Sequence, residues 1–278
     1  MCHFSARQRP DAQPAFAGVA RFRQNRMANL DQVKVLQQGA SAWNQWRQHC
    51  PERTPDFYRL MLTGVDLRRV DLRGAAMFEA CLVNCRLDEV DLRQADLARA
   101  DLSRSSLRGA RLEDTDLCGA CLVEADFAEV ALLEAQLCEA DLSGARLRGA
   151  QLIGVQANEV LLRDAFLDEA DLRGALLRHA DLRRATLTHA RLVASDLANA
   201  DLRGANLAGA DLRNANLFEA RLNDANLSGA DLRQANLDFA DLSGACLDDA
   251  RFSPTTVHPP LFIPTDTREI SGRSSRLP

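Results

Sequence analysis

Residues 200–219 read ADLRG ANLAG ADLRN ANLFE, four copies of a five-residue pattern: alanine, Asp or Asn, leucine and two variable residues. The same phase runs from residue 62 to residue 252, where 35 of the 39 positions spaced five apart are leucine. The four exceptions are Met77, Phe127, Ala157 and Phe252. Two residues before each of the 39 positions the side chain is mostly small, and it is alanine at 28 of them. A repeat this regular decides the architecture before any local propensity does.

A period of five fits neither a helix nor a flat strand. On an α-helix each step would rotate the leucine by roughly 140° and spread it around the axis, whereas a strand has a period of two. A coil that turns a corner every five residues does fit. Four pentads then make a square turn of twenty residues, and successive turns stack at about 4.8 Å. The leucine and the small residue point inward, so the sequence predicts an all-β solenoid of about ten coils, roughly 47 Å long, with a packed axis.

The Ala-(Asp/Asn)-Leu-x-x pattern resembles the pentapeptide-repeat family. The resemblance covers residues 60–252 and implies a right-handed quadrilateral parallel β-helix. The segment Gln38–Phe57, with Ala42-Trp43-Asn44-Gln45-Trp46-Arg47, also resembles an N-terminal element of many bacterial members.

The flanks predict caps for the two ends of the solenoid, which would otherwise expose pairing edges. Apolar residues recur at helical spacing over 30–50, so we expect one amphipathic capping helix within 27–59, with Asn29 as its N-cap and Trp43 and Trp46 over the first coil. A partner-binding helix is the alternative. Residues 253–278 are expected to fold once over the last coil as a C-terminal cap and tail, through Val257, Leu261, Phe262 and Ile263.

Residues 1–26 are rich in arginine and glutamine and predict a disordered arm. Met27 is an alternative start, which an N-terminal peptide beginning near Met1 in native protein would exclude. The formal net charge of −5 divides into +5 for residues 1–59, −11 for 60–252 and +1 for 253–278. An acidic body repels phosphates, so direct nucleic-acid binding is not expected.

No run approaches the roughly 18 apolar residues of a membrane span, and Ala15–Ala20 is too short for a secretory signal. Eight cysteines without CxxC spacing fit reduced thiols better than a disulfide framework. We therefore expect a cytoplasmic protein that does not bind membranes.

A packed axis leaves no pocket, so we expect no enzyme activity, no catalytic residues, no cofactor and no metal. Each candidate is a surface group with a structural alternative. The recurring Asp residues are explained by turn hydrogen bonds, and His179 and His189 fall on opposite faces. Cys118 and Cys138 stack as plain thiols or as a redox pair.

Arg163, Arg183 and Arg203 form a stripe beside Asp181 and Asp201. Such a stripe either holds an anion or an acidic partner, or consists of mutually compensating surface charges.

Apolar residues at positions where the pattern demands exposure are the best candidates for a contact surface. They predict a protein-binding or homodimer surface around coils 130–177, or sequence drift with a bulge at Ala157. These residues are Leu133, Ile153, Leu161, Phe166, Leu176 and Val193.

The favoured function is a rigid scaffold for interaction with a protein that the sequence does not identify.

The resemblance also implies an alternative, an acidic rod that mimics B-form DNA and protects or inhibits DNA gyrase. The many outward arginines interrupt a continuous negative potential, and the unbroken register leaves no room for the loops of some gyrase-protecting relatives. A targeting module for an enzyme is the third reading, but flanks of about 59 and 26 residues are too short for a catalytic domain.

Overall fold

The computed structural model describes residues 28–253 and Thr256. Two short helices, α1 (Leu30–Leu36) and α2 (Ala40–His49), precede the strands β1 (Met61–Thr63) and β2 (Cys81–Val83). β1 and β2 pair in parallel with a register of twenty residues. From Asp56 to Arg251, isolated parallel bridges continue the same register, each joining residues twenty apart. The chain is therefore the predicted parallel β-helix, with four pentads in each coil.

Each pentad has five structural positions, which Ala180–Arg184 illustrates. Ala180 lies at the wall position, Asp181 at the ladder position, Leu182 at the central position, Arg183 at the outer position and Arg184 at the corner position. Wall and central residues are buried, whereas the other three face outward to differing extents. Coils are joined by backbone hydrogen bonds such as Leu182 N to Asp201 O at 2.8 Å.

The corner position has a left-handed backbone whether or not it holds glycine. Gly244 has φ 73°, and Glu139 and Phe239 both have φ 59°. Each corner closes with a hydrogen bond from the next wall N–H to the central carbonyl, as in Ala180 N to Leu177 O at 3.1 Å, the pattern of a type II turn. Positive φ costs an L-residue roughly 1–2 kcal/mol, so the stacked hydrogen bonds and the core must offset this cost at every non-glycine corner.

Leucine side chains fill the axis, as the repeat predicts. The weakest point is Ala157, where a cavity of about 10 Å³ is lined by leucines and by Val155 and Val160. The larger wall residues Val155 and Val160 occupy part of the space that a leucine at 157 would take. The backbone does not bulge here, since Ala157 N still donates to Leu176 O at 2.8 Å.

The β-helix is square in cross-section and so has four faces. Pentads whose central residues are twenty apart lie on the same face, and we number the faces by the order of their first central residue from Leu62 onward. Face 1 contains the pentads centred on Leu62 and every twentieth residue after it. Faces 2, 3 and 4 start in the same way from Leu67, Leu72 and Met77. Every outward residue thus has neighbours on its own face twenty residues before and after it.

The N-terminal cap consists of two helices, not the single helix predicted over 30–50. The turn after α1 ends at Gly39, whose φ of 96° does not continue a helix. Asn29 is the N-cap of α1, and its side chain accepts hydrogen bonds from the N–H groups of Asp31 and Gln32. Leu30, predicted on the apolar stripe, is 49% exposed.

Side chains of the helices form the hydrogen bonds that a preceding coil would otherwise form with the first coil. Trp43 Nε1 donates to Asp71 O at 2.7 Å, and Asn44 Nδ2 donates to Arg69 O at 2.8 Å. Asn44 Oδ1 accepts the Asp71 N–H at 2.8 Å. Arg47 reaches Arg73 O at 3.0 Å. The backbone groups that would otherwise form an open pairing edge are therefore satisfied.

The β-helix begins one pentad earlier than residue 60. Asp56 bridges Ala76, and Phe57 is fully buried at a central position with Pro55 at the wall. At the other end, Thr256 is buried and its hydroxyl donates to Leu232 O at 3.1 Å. The predicted arm 1–26 and the tail residues Val257, Leu261, Phe262 and Ile263 lie outside the described residues.

Candidate functional site: the outer faces

Face 3 is electrically neutral, and most of its charged residues pair with one another. Its pentads in residues 60–252 carry eight arginines and eight acidic residues. In five pentads the arginine at the outer position forms an ion pair with the aspartate at the ladder position, two residues before it. The distance from the guanidinium nitrogen to the carboxylate oxygen is 2.6–2.7 Å, for example in Arg213–Asp211 and Arg233–Asp231. The same aspartate accepts the arginine N–H in an Asx turn, as at Arg233 N to Asp231 Oδ1, 3.2 Å. The recurring carboxylates of this face therefore have a structural role.

Face 4 carries most of the negative charge. In residues 60–252 its pentads hold eight acidic residues but only Arg99 and Arg178. Glu79 pairs with Arg59, and Asp196 lies 3.7 Å from Arg178. Within the described part of the chain, six further carboxylates of this face form no ion pair: Asp96, Asp116, Glu139, Glu159, Glu219 and Asp238. Face 4 thus has a net charge of −6, more than half of the −11 of the body.

Arg163, Arg183 and Arg203 are stacked on face 1, as predicted, and each contacts an aspartate. Arg183 binds Asp181 at 2.7 Å, Arg163 binds the same carboxylate from the coil below, and Arg203 binds Asp201 at 2.6 Å. This geometry favours compensating surface charge over an anion site. Partial burial raises the pKa of Asp181, but the hydrogen bonds from Arg183 and Arg163 outweigh it and lower the pKa to about 2.

Replacing Asp181 by asparagine is expected to destabilise the protein at neutral pH by about 1–2 kcal/mol, since one pKa unit corresponds to about 1.4 kcal/mol. The depressed pKa means that this stabilisation is present above the ordinary pKa of 3.8 and is lost as the pH falls through about 2. Denaturant unfolding of both proteins at pH 7 and pH 2 measures the difference. Asp101→Asn is the control, because Asp101 on the same ladder binds Ser103 rather than an arginine. A gap between wild type and Asp181→Asn that stays constant with pH would contradict the assignment.

The six predicted apolar contact residues do not form one surface. Leu133, Ile153 and Val193 share the outer positions of face 3, but Arg173 separates the last two. Leu161, Phe166 and Leu176 are ladder residues of faces 1, 2 and 4 respectively. The six residues therefore lie on all four faces, because each step of five residues carries the chain around a corner, and a contact surface around coils 130–177 stays a prediction.

Phe166 is the most prominent member of this set. It is 47% exposed, compared with 38% for Leu176, while the other four are half-buried. Phe166 lies at the end of a shallow groove along the corner between faces 1 and 2. The groove is lined by Arg104, Glu124, Asp126, Gly144, Arg146 and Phe166, with other small residues between them. Arg104 and Glu124 bind each other at 2.9 Å, whereas Arg146 forms no ion pair with any described residue.

Cys118 and Cys138 are adjacent on face 4, both half-buried and both free thiols. Cys138 Sγ donates to Gln156 O at 3.5 Å. Burial and the negative charge of Asp116 raise the pKa of Cys118 to about 12. A thiol with this pKa is a poor nucleophile at neutral pH, which favours the plain-thiol interpretation.

His179 and His189 occupy corners of the opposite faces 4 and 2, as expected. Among residues 28–253 and 256, no three His, Cys, Asp or Glu side chains are placed to hold a metal ion. No helix in this part of the chain is long and apolar enough to cross a membrane.

The sequence reasoning missed two groups of residues. One is the polar capping set Gln32, Asn44 and Arg47; Asn44 and Arg47 stand beside the two tryptophans in the sequence, whereas Gln32 has no such signal. The other is the aromatic pair Phe218 and Phe239 on face 4, with ring centroids 5.6 Å apart and Phe239 66% exposed. Phe218 and Phe239 occupy outward positions, where the repeat usually has a polar residue.

Three solved structures illustrate what the chain resembles. HetL, a pentapeptide repeat protein involved in heterocyst differentiation regulation from the cyanobacterium Nostoc sp. strain PCC 7120, is 34% identical over 77% of this chain and 98% of HetL, with a TM-score of 0.34. Rfr23 from the cyanobacterium Cyanothece 51142 is 39% identical over 34% of this chain and 63% of its own, with a TM-score of 0.33. QnrB1, a plasmid-mediated fluoroquinolone resistance protein, is 17% identical over 71% of this chain and 92% of its own, with a TM-score of 0.39. Among curated proteins, none matches this sequence.

The family model for pentapeptide repeats matches a series of segments along the β-helix. The matched segments are residues 56–94, 85–122, 120–156, 158–192, 180–217, 195–234 and 215–253. Together they cover more than half of the chain. This chain belongs to the pentapeptide-repeat family.

Proposed function

We propose that this protein is a non-enzymatic rigid scaffold that binds another protein through its outer surface, with Phe166 as the anchor. The observation that carries the proposal is the contrast between a filled axis and a groove that ends at an exposed ring. The cavity along the axis beside Ala157 has a volume of about 10 Å³, the size of a single water position at most. A substrate has no room there, so recognition must use the outer faces.

The groove contains an aromatic ring and a guanidinium group in adjacent coils. The guanidinium group has no ion pair among the described residues. Phe166 and Arg146 are consecutive residues of the face 2 ladder. Exposed aromatic and arginine side chains are the residue types that most often dominate binding energy at protein interfaces. The chemistry suits a partner segment that places an apolar side chain on the ring and a carboxylate on Arg146. Leu133 and Ile153 on face 3 are a smaller, separate apolar surface, and Leu161, Leu176 and Val193 are isolated.

The test is affinity capture from the native host with the full chain as bait and two matched variants. Phe166→Asn removes the ring, and it keeps the fold because the same ladder carries Asn206 and Asn226. Leu176→Asn is the control, because the face 4 ladder likewise carries Asn216 and Asn236. We expect Phe166→Asn to weaken a partner retained by Leu176→Asn roughly 30-fold or more, as for a hot-spot residue worth at least about 2 kcal/mol. A partner that binds wild type and Phe166→Asn equally would overturn the role of this groove.

DNA mimicry toward gyrase is the second candidate, and the acidic face 4 is the feature that favours it. The charge density argues against it. B-form DNA carries one charge per about 1.7 Å, which gives roughly 28 charges over a rod of about 47 Å. The repeat body has a net charge of −11, with faces 1 to 3 largely compensated. Gyrase supercoiling with and without a quinolone decides between the two, because a scaffold with an unrelated partner leaves both reactions unchanged.

The same proposal locates the protein in the cytoplasm, where the seven free cysteines of the described residues stay reduced. It includes no direct binding of nucleic acid or membranes. A second copy of the chain as the partner is a special case, in which Phe166→Asn would abolish dimerisation.

A further inference from the structure

The N-terminal arm, residues 1–26, is the most basic segment of the chain. It contains five arginines and a single acidic residue, Asp11. The arm joins the described structure at face 4. Asn29 N donates to Asp56 O at 2.8 Å, and Asp56 is the first residue of the face 4 ladder. The chain before Ala28 therefore starts at one end of the face that has the most negative charge.

Face 4 is complementary to such a segment along much of its length. Between Arg99 and Arg178 its outward positions include no cation, but they include Asp116, Glu139 and Glu159. These three carboxylates form no ion pair with the residues that the structure describes. Face 3, at the same height, differs in carrying a cation on its ladder, Arg111, which binds Glu113; its other carboxylates there are Asp114 and Glu134.

The beginning of face 4 already binds guanidinium groups on aromatic rings. Tyr58 and Phe78 stack with their centroids 5.5 Å apart. Arg59 lies over the Tyr58 ring at 5.2 Å, and Arg99 lies over the Phe78 ring at 5.9 Å. Arginine on an aromatic face is a favourable contact independent of carboxylates. This face is thus suited to arginine by two different kinds of interaction.

The length of the arm is sufficient for it to reach the carboxylates. From Asp56 to Gln156 the ladder rises by five rungs, about 24 Å at the usual strand spacing. That distance corresponds to about eight residues of extended chain at roughly 3.3 Å each. Twenty-six residues therefore span the acidic stretch with chain to spare.

We propose that residues 1–26 bind along face 4 of their own molecule and cover its acidic surface between Asp96 and Glu159. Attachment at Asn29 keeps the arm at a high effective concentration, so weak contacts suffice. Because these charges are exposed, salt weakens the contact. A basic partner would reach face 4 only by displacing the arm.

Site-specific photo-cross-linking tests this directly. p-Benzoylphenylalanine replaces Gln156 on face 4 or, as the matched control, Gln151 on face 3, in the full 278-residue chain. Both glutamines are exposed ladder residues of one coil, and circular dichroism verifies that each variant folds. We expect cross-links to the tryptic peptide Gln8–Arg21 in the monomeric band, several-fold more from position 156 than from position 151. They should decrease at high salt.

A second variant separates charge from proximity. Glu139→Gln combined with Glu159→Gln, in the Gln156 photo-probe background, is expected to reduce the arm cross-links, because it removes two unpaired carboxylates without changing the core. The proposal is overturned by equal cross-linking from both faces, by the absence of arm cross-links, or by arm cross-links confined to a dimeric band. A reduction caused by the charge variant, together with the monomeric band, supports it. These results do not depend on the partner of Phe166.

Discussion

Trp43→Ala is expected to lower the free energy of unfolding by about 3–5 kcal/mol, the usual cost of deleting a large buried ring. Trp43 is completely buried, with ring centroids 4.8 Å from Trp46 and 5.3 Å from Phe57. The substitution also leaves Asp71 O without its donor at the edge of the first coil. In a solenoid, this loss exposes the edge from which unfolding proceeds.

Denaturant unfolding followed by circular dichroism measures the effect. Trp46→Ala is the matched control, because Trp46 lies on the same helix but is only half-buried. Trp43→Phe keeps a ring in place and removes the hydrogen bond, so it should lose less than Trp43→Ala. Equal stabilities of Trp43→Ala and Trp46→Ala would show that Trp43 does not have the capping role assigned to it.

Phe127→Ala is expected to destabilise by about 3–5 kcal/mol through a cavity in the middle of the axis. Phe127 is fully buried at a central position of face 2. Its neighbours along the axis are held in place by the backbone bonds of both adjacent coils, such as Phe127 N to Arg146 O at 2.7 Å. The walls therefore cannot collapse to fill the space.

Phe127→Leu is the informative control, since it restores the residue found at 35 of the 39 central positions. A change of shape with similar character usually costs less than about 1.5 kcal/mol. Thermal and denaturant unfolding of the two variants should therefore differ clearly. Identical midpoints for Phe127→Ala and Phe127→Leu would mean that the axis is not close-packed at this point.

The repeat was sufficient to predict the core from sequence. Leucine at every fifth position and alanine two residues before it leave a square coil as the arrangement that buries both, and Leu202 and Ala200 lie where this requires. The first pentad was missed because Pro55 and Phe57 replace the usual alanine and leucine. The helix break at Gly39 was missed because the apolar spacing continues across it, so periodicity alone gave no sign of a turn.

Surface properties were less accessible to sequence reasoning. A ladder aspartate looks the same in the sequence whether it binds an arginine, as Asp211 does, or lacks an ion pair among the described residues, as Asp116 does. Paired and unpaired aspartates can be distinguished only once each pentad is assigned to one of the four faces. The same assignment places the six apolar residues on all four faces. Phe166 was found from its departure from the polar pattern. Its groove was not, because the groove depends on residues of a neighbouring face, among them Gly144.

One consequence of the twenty-residue register concerns insertions and deletions. Deleting twenty residues would shorten the protein by one coil, and every remaining residue would still stack on residues of its own face. Excising a single pentad would preserve the leucine phase equally well, yet it would rotate everything downstream by a quarter turn relative to what precedes it. The lower acidic side would then continue into what had been face 1. Two proteins that differ by one pentad would have nearly the same composition but different outer surfaces. Insertions or deletions of a multiple of five residues that is not a multiple of twenty are therefore a route to new binding partners.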